Sequence, residues 1–155
     1  MTSSPMRAAL LLAPVMLIAS PGKAANVTLS GTLTNSCILS LSVPGALAAS
    51  SDGTTLTSET SGGLPATMAL IALGGQPTVN FSAPAVSGPS GSTGGATTQI
   101  RYTSLQGASQ AYTSGASSRI GGALLDTFTI HGRVSNTSGF TAGTYTVTTV
   151  ATCQQ

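Results

Sequence analysis

The chain contains very few charged side chains. Of its 155 residues, five are Lys or Arg and three are Asp or Glu. Two of the basic residues, Arg7 and Lys23, fall near the N-terminus, so the remainder holds three arginines against three carboxylates and has a formal charge of zero. Binding to nucleic-acid phosphates requires a cluster of Lys and Arg. The sequence therefore excludes a nucleic-acid partner, and its neutrality favours self-association.

Groups able to perform acid–base chemistry are equally scarce. His131 is the only histidine, and the carboxylates outside the N-terminal segment are Asp52, Glu59 and Asp126. We expect His131 to lie exposed on the solvent face of a strand rather than to act as a general base. Two cysteines and one histidine do not complete a four-ligand metal shell. The sequence predicts no catalytic residues, no metal and no cofactor, so the chain is not expected to be an enzyme.

The N-terminal segment has the pattern of a secretion signal. Arg7 supplies a positive charge, and Ala8–Ala19 is an apolar run interrupted by one proline. Gly22 and Ala24 place small residues before a cleavage site, as in signal peptides. The run is too short for a membrane-spanning helix, which needs about 20 apolar residues. We predict that residues 1–24 are a cleaved signal peptide and that the mature chain has no transmembrane span.

Cys37 and Cys153 are the only two cysteines. In an exported protein an even number of cysteines indicates a disulfide. This bond would join the first predicted strand to the last and would close a loop of well over 100 residues. The alternative is a pair of free buried thiols in a reducing compartment.

The remaining residues favour β-structure. Tryptophan is absent, and the chain is dominated by Thr, Ser, Gly, Ala and Val, a composition typical of strands and glycine-rich turns. The clearest strand is Val27–Leu41, whose first half alternates apolar with Ser and Thr side chains. A bend at Asn35-Ser36 interrupts it before Cys37.

Other segments add shorter strands. Thr67–Leu73 is either a buried strand or a helical turn, and Ile120–Leu125 is ambiguous. Pro84–Ala96 is predicted to be a surface loop, and Asp52-Gly53 a turn. Further strands are predicted at Gln76–Ala83, Thr97–Leu105, Asp126–Val134 and Thr144–Cys153. Short strands without strand–helix alternation predict that residues 25–155 form a single β-sandwich domain.

The two ends of the chain resemble a known family. Asn26–Leu39 (NVTLSGTLTNSCIL) is an alternating strand that runs into a cysteine, and it resembles the N-terminal region of chaperone–usher pilus subunits. Thr129–Ala151 contains IHGRVSNTSGFTAGTYTVTTVA, which resembles the closing part of the archaic branch of these subunits and of spore-coat-protein-U-like domains. The middle of the chain carries no such resemblance.

The resemblance implies an immunoglobulin-like, pilin-like sandwich that lacks one strand. In that family a periplasmic chaperone fills the gap, and the N-terminal strand of the next subunit then replaces it. The implied partners are other pilus subunits, the chaperone and an outer-membrane usher, with passage through the periplasm to the cell surface or the extracellular space. The donated strand would include Val27, Leu29, Gly31 and Leu33, and the acceptor groove would include Tyr145 and Val147.

Several alternatives remain open at this level. The same residues could be core positions of an ordinary sandwich. A bond between Cys37 and Cys153 could block the groove, and little of the mature chain precedes Val27. The domain could then be completed by its own strand, or be a secreted binding module of adhesin type that uses the loop Pro84–Ala96. A secreted hydrolase is the least favoured alternative.

Overall fold

The structure is a computed structural model that describes residues 28–155. These residues form twelve strands and no helix, and every strand pairing is antiparallel. Consequently the described part of the chain holds no helix that could cross a bilayer. The predicted all-β fold is confirmed. The predicted signal peptide and Val27 lie outside the described residues.

The strands follow one another without long interruptions. Their bounds are β1 Ser36–Val43, β2 Ala48–Ala49, β3 Thr55–Thr57, β4 Ala66–Leu73, β5 Thr78–Phe81, β6 Ala85–Ser87, β7 Thr97–Ser104, β8 Ser109–Thr113, β9 Ser117–Ile120, β10 Leu124–Ser135, β11 Thr146–Thr148 and β12 Ala151–Gln154.

The larger sheet is organised around β10, the longest strand. The first half of β10 pairs with β4, and β1 forms the edge beyond β4. On its other side β10 pairs with β7, which pairs in turn with β8. The short strand β3 pairs with β10 past the end of β4, and β2 pairs with β3. The order is therefore β1-β4-β10-β7-β8, with β3 in line with β4 on the same side of β10 and β2 paired to β3.

The second group of strands is built on one long pairing that is interrupted once. β12 pairs with β5, β11 pairs with β6, and β9 covers the other edge of β5. Between these pairs the Ser82 N–H donates to the Val150 carbonyl at 2.9 Å, and the Val150 N–H donates to Ser82 Oγ at 2.8 Å. These bonds bridge the gap, so β5 with β6 and β11 with β12 act as two continuous strands.

The core contains aliphatic and aromatic side chains from both groups of strands. Alternation along β4, β7 and β10 directs their apolar positions to the same side. The rings of Phe81 and Tyr102 lie 4.3 Å apart, and each ring centroid lies 6.0 Å from that of Phe128. The buried cluster consists of Met68, Leu70, Val79, Phe81, Ile100, Tyr102 and Phe128.

The disulfide between Cys37 and Cys153 is present, as predicted. Its Cα atoms are 6.1 Å apart, within the range that a disulfide spans. Cys37 lies on β1 and Cys153 on β12, so the bond connects an edge strand of one sheet to an edge strand of the other.

The predicted first strand, Val27–Leu41, is wrong at its beginning. β1 starts at Ser36, which pairs with Leu73, the last residue of β4. No residue of β4 remains to pair with the chain before Ser36, and residues 28–35 form no strand. Leu33 is accordingly 73% exposed. Strand length here depends on the partner strand and not on the local alternation.

Two further predictions need correction. The predicted loop Pro84–Ala96 contains β6, which pairs with β11, while Pro84 itself falls in the gap between β5 and β6 because proline has no N–H to donate. The predicted strand Thr144–Cys153 is divided at Thr149 and Val150. The undecided segment Thr67–Leu73 is a strand.

Candidate functional site

A groove separates two sheet edges, β1 on one side and β11 with β12 on the other, which no strand within residues 28–155 covers. It is a cavity of about 620 Å³ that extends from the neighbourhood of the disulfide to Pro44 and Tyr145. Among the described residues that line it none is charged, and most are apolar. They include Leu39, Leu41, Leu64, Met68, Phe81, Ile100, Ile130, Tyr145, Val147 and Ala151.

The β1 side of the groove presents an unpaired backbone edge. β1 pairs with β4 on one side and with no other strand in the part of the chain that the structure describes. Its alternating side chains Leu39 and Leu41 line the groove, and Leu41 is 63% exposed. An edge with free N–H and C=O groups and apolar side chains is a template for pairing with another strand.

The opposite side is formed by the last two strands. Tyr145, Val147 and Ala151 share one face and line the groove, as the predicted alternation of the C-terminal segment requires. The Tyr145 hydroxyl donates to the Thr141 carbonyl at 2.9 Å, and its ring packs directly over the backbone of Gly88. A side chain at Gly88 would displace this ring. Tyr145 is therefore held in place by contacts outside the groove.

The floor of the groove is the hydrophobic core itself. Met68, Phe81 and Ile100 are almost fully buried, yet each contributes to the cavity lining. No strand among residues 28–155 covers these side chains from the groove side. The groove therefore reaches down to the core between the two strand edges, while the core side chains at its floor remain buried.

The disulfide lies at one end of the groove and does not block it. Cys37 comes two residues before Leu39, and Cys153 comes two residues after Ala151, while neither cysteine lines the cavity. The open part runs from Leu39 to Pro44, which is five residue steps and at 3.3 Å per residue about 17 Å. The expectation that this bond could close the groove is thus wrong, because the bond joins the ends of the strands.

The predicted donor residues lie outside regular structure. Leu29 is 92% exposed and belongs to no strand, like Gly31 and Leu33. Val27 is outside the described residues. An alternating apolar segment that remains exposed has a face available for burial elsewhere.

A polar cluster occupies the outer face of the larger sheet. Glu59 forms an ion pair with Arg101 and accepts a hydrogen bond from the Tyr112 hydroxyl at 2.7 Å. His131 Nδ1 lies 3.2 Å from Ser58 Oγ and 3.8 Å from Glu59 Oε1. The expected exposed position of His131 is wrong, since its side chain is only 20% exposed. His131 is covered because Ser58 and Glu59, which are distant in sequence, pack next to its ring.

The electrostatics of this cluster favour a neutral histidine and an ionised glutamate. Burial lowers the pKa of His131, and the nearby Arg101 charge lowers it further. The hydrogen bond from Tyr112 lowers the pKa of Glu59, with help from Arg101. Ser58 is buried, and Ser58 and Glu59 both face the same ring nitrogen. This geometry differs from a nucleophile–base–carboxylate relay, in which the two partners contact opposite nitrogens.

Acidification is expected to destabilise the fold. Because the pKa of His131 is lower in the folded state, the unfolded chain binds the extra proton as pH falls below about 6.5. The free energy of unfolding should decrease by at most about 1.4 kcal/mol per pH unit in that range. The loss should continue below pH 4, because hydrogen bonds from Ser50 and Thr54 hold the pKa of Asp52 at about 2.

Urea denaturation at pH 7, 6 and 5 measures this effect. His131→Gln should remove the decrease between pH 7 and 5 while leaving the loss below pH 4. An unchanged pH dependence in the variant would contradict the assignment to His131.

Sequence reasoning identified Tyr145 and Val147 but missed most of the groove. Leu39 and Leu41 alternate in step with Cys37, so the period-2 pattern could have placed them on the same face. Leu64 and Ile130 could not have been found in this way, because their contact with the groove depends on the pairing of distant strands. The cluster around Glu59 has no local sequence signal either.

The chain was compared with known proteins, and no protein-family model, no curated protein and no solved structure matches it. Within residues 28–155 no group of three or more His, Cys, Asp or Glu side chains could hold a metal ion. The functional interpretation therefore depends on the geometry of the groove and on the pattern of the N-terminal segment.

Proposed function

We propose that this chain is an exported structural subunit of a surface pilus or fimbria-like assembly, in which each copy inserts its N-terminal strand into the groove of the next. The observation that carries the proposal is the uncharged, mostly apolar groove between two strand edges that no strand within residues 28–155 covers. Residues 28–35 form a segment in which apolar and polar side chains alternate. This segment pairs with no strand in the part of the chain that the structure describes. Strand addition would satisfy both features at once.

The strand order supports an immunoglobulin-like sandwich with one strand missing. In the constant type of that fold, strands A, B, E and D form one sheet and C, F and G form the other. When the strands are lettered in chain order, the larger sheet has the spatial order A, B, E and D, formed by β1, β4, β10 and β7. Strand C is then β5 with β6, and strand F is β11 with β12. Strand G would pair with F, and the groove lies at that edge.

Tyr145 adds an independent argument for this fold. Immunoglobulin-like domains often carry a tyrosine near the start of strand F whose hydroxyl bonds to the backbone a few residues upstream. Tyr145 immediately precedes β11, and its hydroxyl donates to the Thr141 carbonyl. This feature favours the assignment of β11 and β12 to strand F.

The N-terminal segment has the chemistry that the groove requires. Val27, Leu29 and Leu33 would enter the apolar cavity, and Gly31 would allow close approach of the two backbones. From Val27 to Leu33 an extended strand is about 20 Å long, which is enough to span the open part of the groove. The family resemblance further suggests export to the periplasm, a chaperone that occupies the groove first, and an usher at the outer membrane.

A second copy is a better source of the strand than the chain itself. Asn35 packs against Gly74, which directly follows β4, so the backbone continues along the line of the sheet beyond Ser36. To enter its own groove the segment would have to reverse direction within the residues next to Ser36. Insertion into another copy needs no such reversal.

Electrophoresis without boiling tests the proposal. The purified full-length product should form an SDS-resistant ladder with one-subunit spacing that collapses to a single band on boiling. Leu33→Asp should abolish the ladder, because a carboxylate would have to enter an apolar groove. Ser30→Asp, on the opposite face of the same segment, is the matched control and should retain it. A strictly monomeric wild-type protein would contradict assembly and would favour a binding module, which glycan-array binding would then examine.

A further inference from the structure

On the outer face of the larger sheet, exposed apolar side chains lie near the start of β1 and of β10. In the strand register Ile38 lies opposite Ile71, and Ile71 lies opposite Leu125, so three side chains form a row across β1, β4 and β10. All three are exposed, at 57%, 43% and 65%. Leu73, Leu105 and Leu124 lie at the same end of the sheet and are also exposed, with Leu124 at the end of β10 opposite Ala72 and so beside the outer face, not on it. We call these six residues the apolar pole.

The apolar pole contrasts with the other half of the same sheet face. Further along β10 the outward residues are Thr127, Thr129, His131 and Arg133, which lead into the polar cluster around Glu59. The apolar pole contains no charged residue. Exposed apolar residues scattered singly are normal, but a contiguous group on one end marks an interaction surface.

The position of the apolar pole indicates what covers it. Ser36 starts β1 beside Leu73, and the chain leaves the sheet there through Asn35. If Leu33 occupies the groove of a second copy, only two residues separate that copy from Ser36. Two residues span at most about 11 Å, counting the three Cα–Cα steps. The copy that accepts the strand must therefore lie against the apolar pole.

The disulfide determines which part of the accepting copy faces the apolar pole. Cys37 and Cys153 join the strands at one end of the groove, so the linker to the donated strand leaves at the other end. That end is bordered by Val43, Pro44 and Leu64, and Val43 and Leu64 are 49% and 59% exposed. We call these three residues the rim.

We propose that the apolar pole of each copy packs on the rim of the copy that accepts its strand. This inference rests on the proposed strand exchange and adds a second, side-chain interface to it. The contact is head-to-tail, so it generates an open filament and not a closed ring. It also fixes the angle between successive copies, which the two-residue linker alone would leave free.

Cysteine cross-linking in the full chain tests the contact. Leu64→Cys combined with Leu125→Cys, or with Ile71→Cys, should give a ladder that survives boiling without reductant and collapses when reductant is added. The matched control is Leu64→Cys with Thr137→Cys, since Thr137 is an exposed residue past the opposite end of β10. This pair should give a single band after boiling.

The possible outcomes separate this inference from the proposed function. A ladder before boiling and no cross-linked ladder after it would overturn the apolar-pole contact while retaining strand exchange, and it would leave another partner as the occupant of the pole. Absence of any ladder before boiling would overturn both. As a second measurement, Ile71→Asn should retain the unboiled ladder but at least double the spread of bend angles between subunits in electron micrographs. An unchanged spread would contradict the contact.

Discussion

Replacing Cys37 and Cys153 together with alanine is expected to lower the free energy of unfolding by about 4–5 kcal/mol. The two cysteines are 116 residues apart, and the loop-closure entropy that a disulfide removes from the unfolded chain increases with that separation. A domain of this size has a typical stability of about 5–15 kcal/mol, so the bond contributes a large share of it. The expected shift in the melting temperature is roughly 15–20 °C.

Urea denaturation of the oxidised protein, the reduced protein and the double variant measures this contribution. The reduced protein and the variant should agree within about 1 kcal/mol, because both lack the cross-link and alanine introduces no new polar group. A third sample, Cys37→Ala alone, controls for the unpaired thiol that is left on β12. A loss below about 1 kcal/mol would show that the terminal strands are held together without the bond.

The second large effect concerns the empty groove. A chain that cannot receive a strand should be less stable than the assembled protein by about 4 kcal/mol or more. Each donated apolar side chain gains about 1.5–3 kcal/mol on burial, and each backbone hydrogen bond adds about 0.5–1.5 kcal/mol. The entropy of ordering the donated segment offsets part of this gain.

Two variants separate donation from acceptance. Leu29→Asp with Leu33→Asp should prevent donation and leave the groove intact. Leu41→Asp should prevent acceptance, because Leu41 lines the groove and a carboxylate there would have to be buried against the donated strand. Each variant alone should be monomeric and should unfold at a lower urea concentration than the wild-type assembly.

The controls use neighbouring positions that face away from the groove. Ser30→Asp and Ser40→Asp introduce the same charge on the opposite faces of the donor segment and of β1. Both should assemble as the wild type does. If Ser40→Asp abolished assembly as completely as Leu41→Asp, the effect would come from charge on β1 and not from the groove.

Features that depend on local pattern were predictable from the sequence. The period-2 alternation identified the strand that contains Phe128 and Val134, and it placed Tyr145 and Val147 on one face. The disulfide followed from the number of cysteines together with the predicted export signal. These inferences need no knowledge of which strands are neighbours.

Features that depend on strand neighbours were not predictable. The alternation from Val27 predicts a strand that starts there and bends at Asn35-Ser36, yet the strand begins only at Ser36, because β4 ends opposite that residue. The alternation of β10 places His131 on the outward face of the strand, but Ser58 and Glu59 from a different part of the chain partly cover it. The groove lies between two edges that no strand within residues 28–155 joins, and the alternation within one segment does not indicate which strand edges stay unpaired.

The most direct test of strand exchange between copies is the mass of a mixture of the two defective chains. The donation-defective chain, Leu29→Asp with Leu33→Asp, has an intact groove, and the acceptance-defective chain, Leu41→Asp, has an intact donor segment. Sedimentation should show each alone as a monomer and their equimolar mixture as a complex of twice the chain mass, containing one of each. A mixture that remains monomeric, or a single variant that assembles by itself, would contradict strand exchange between copies.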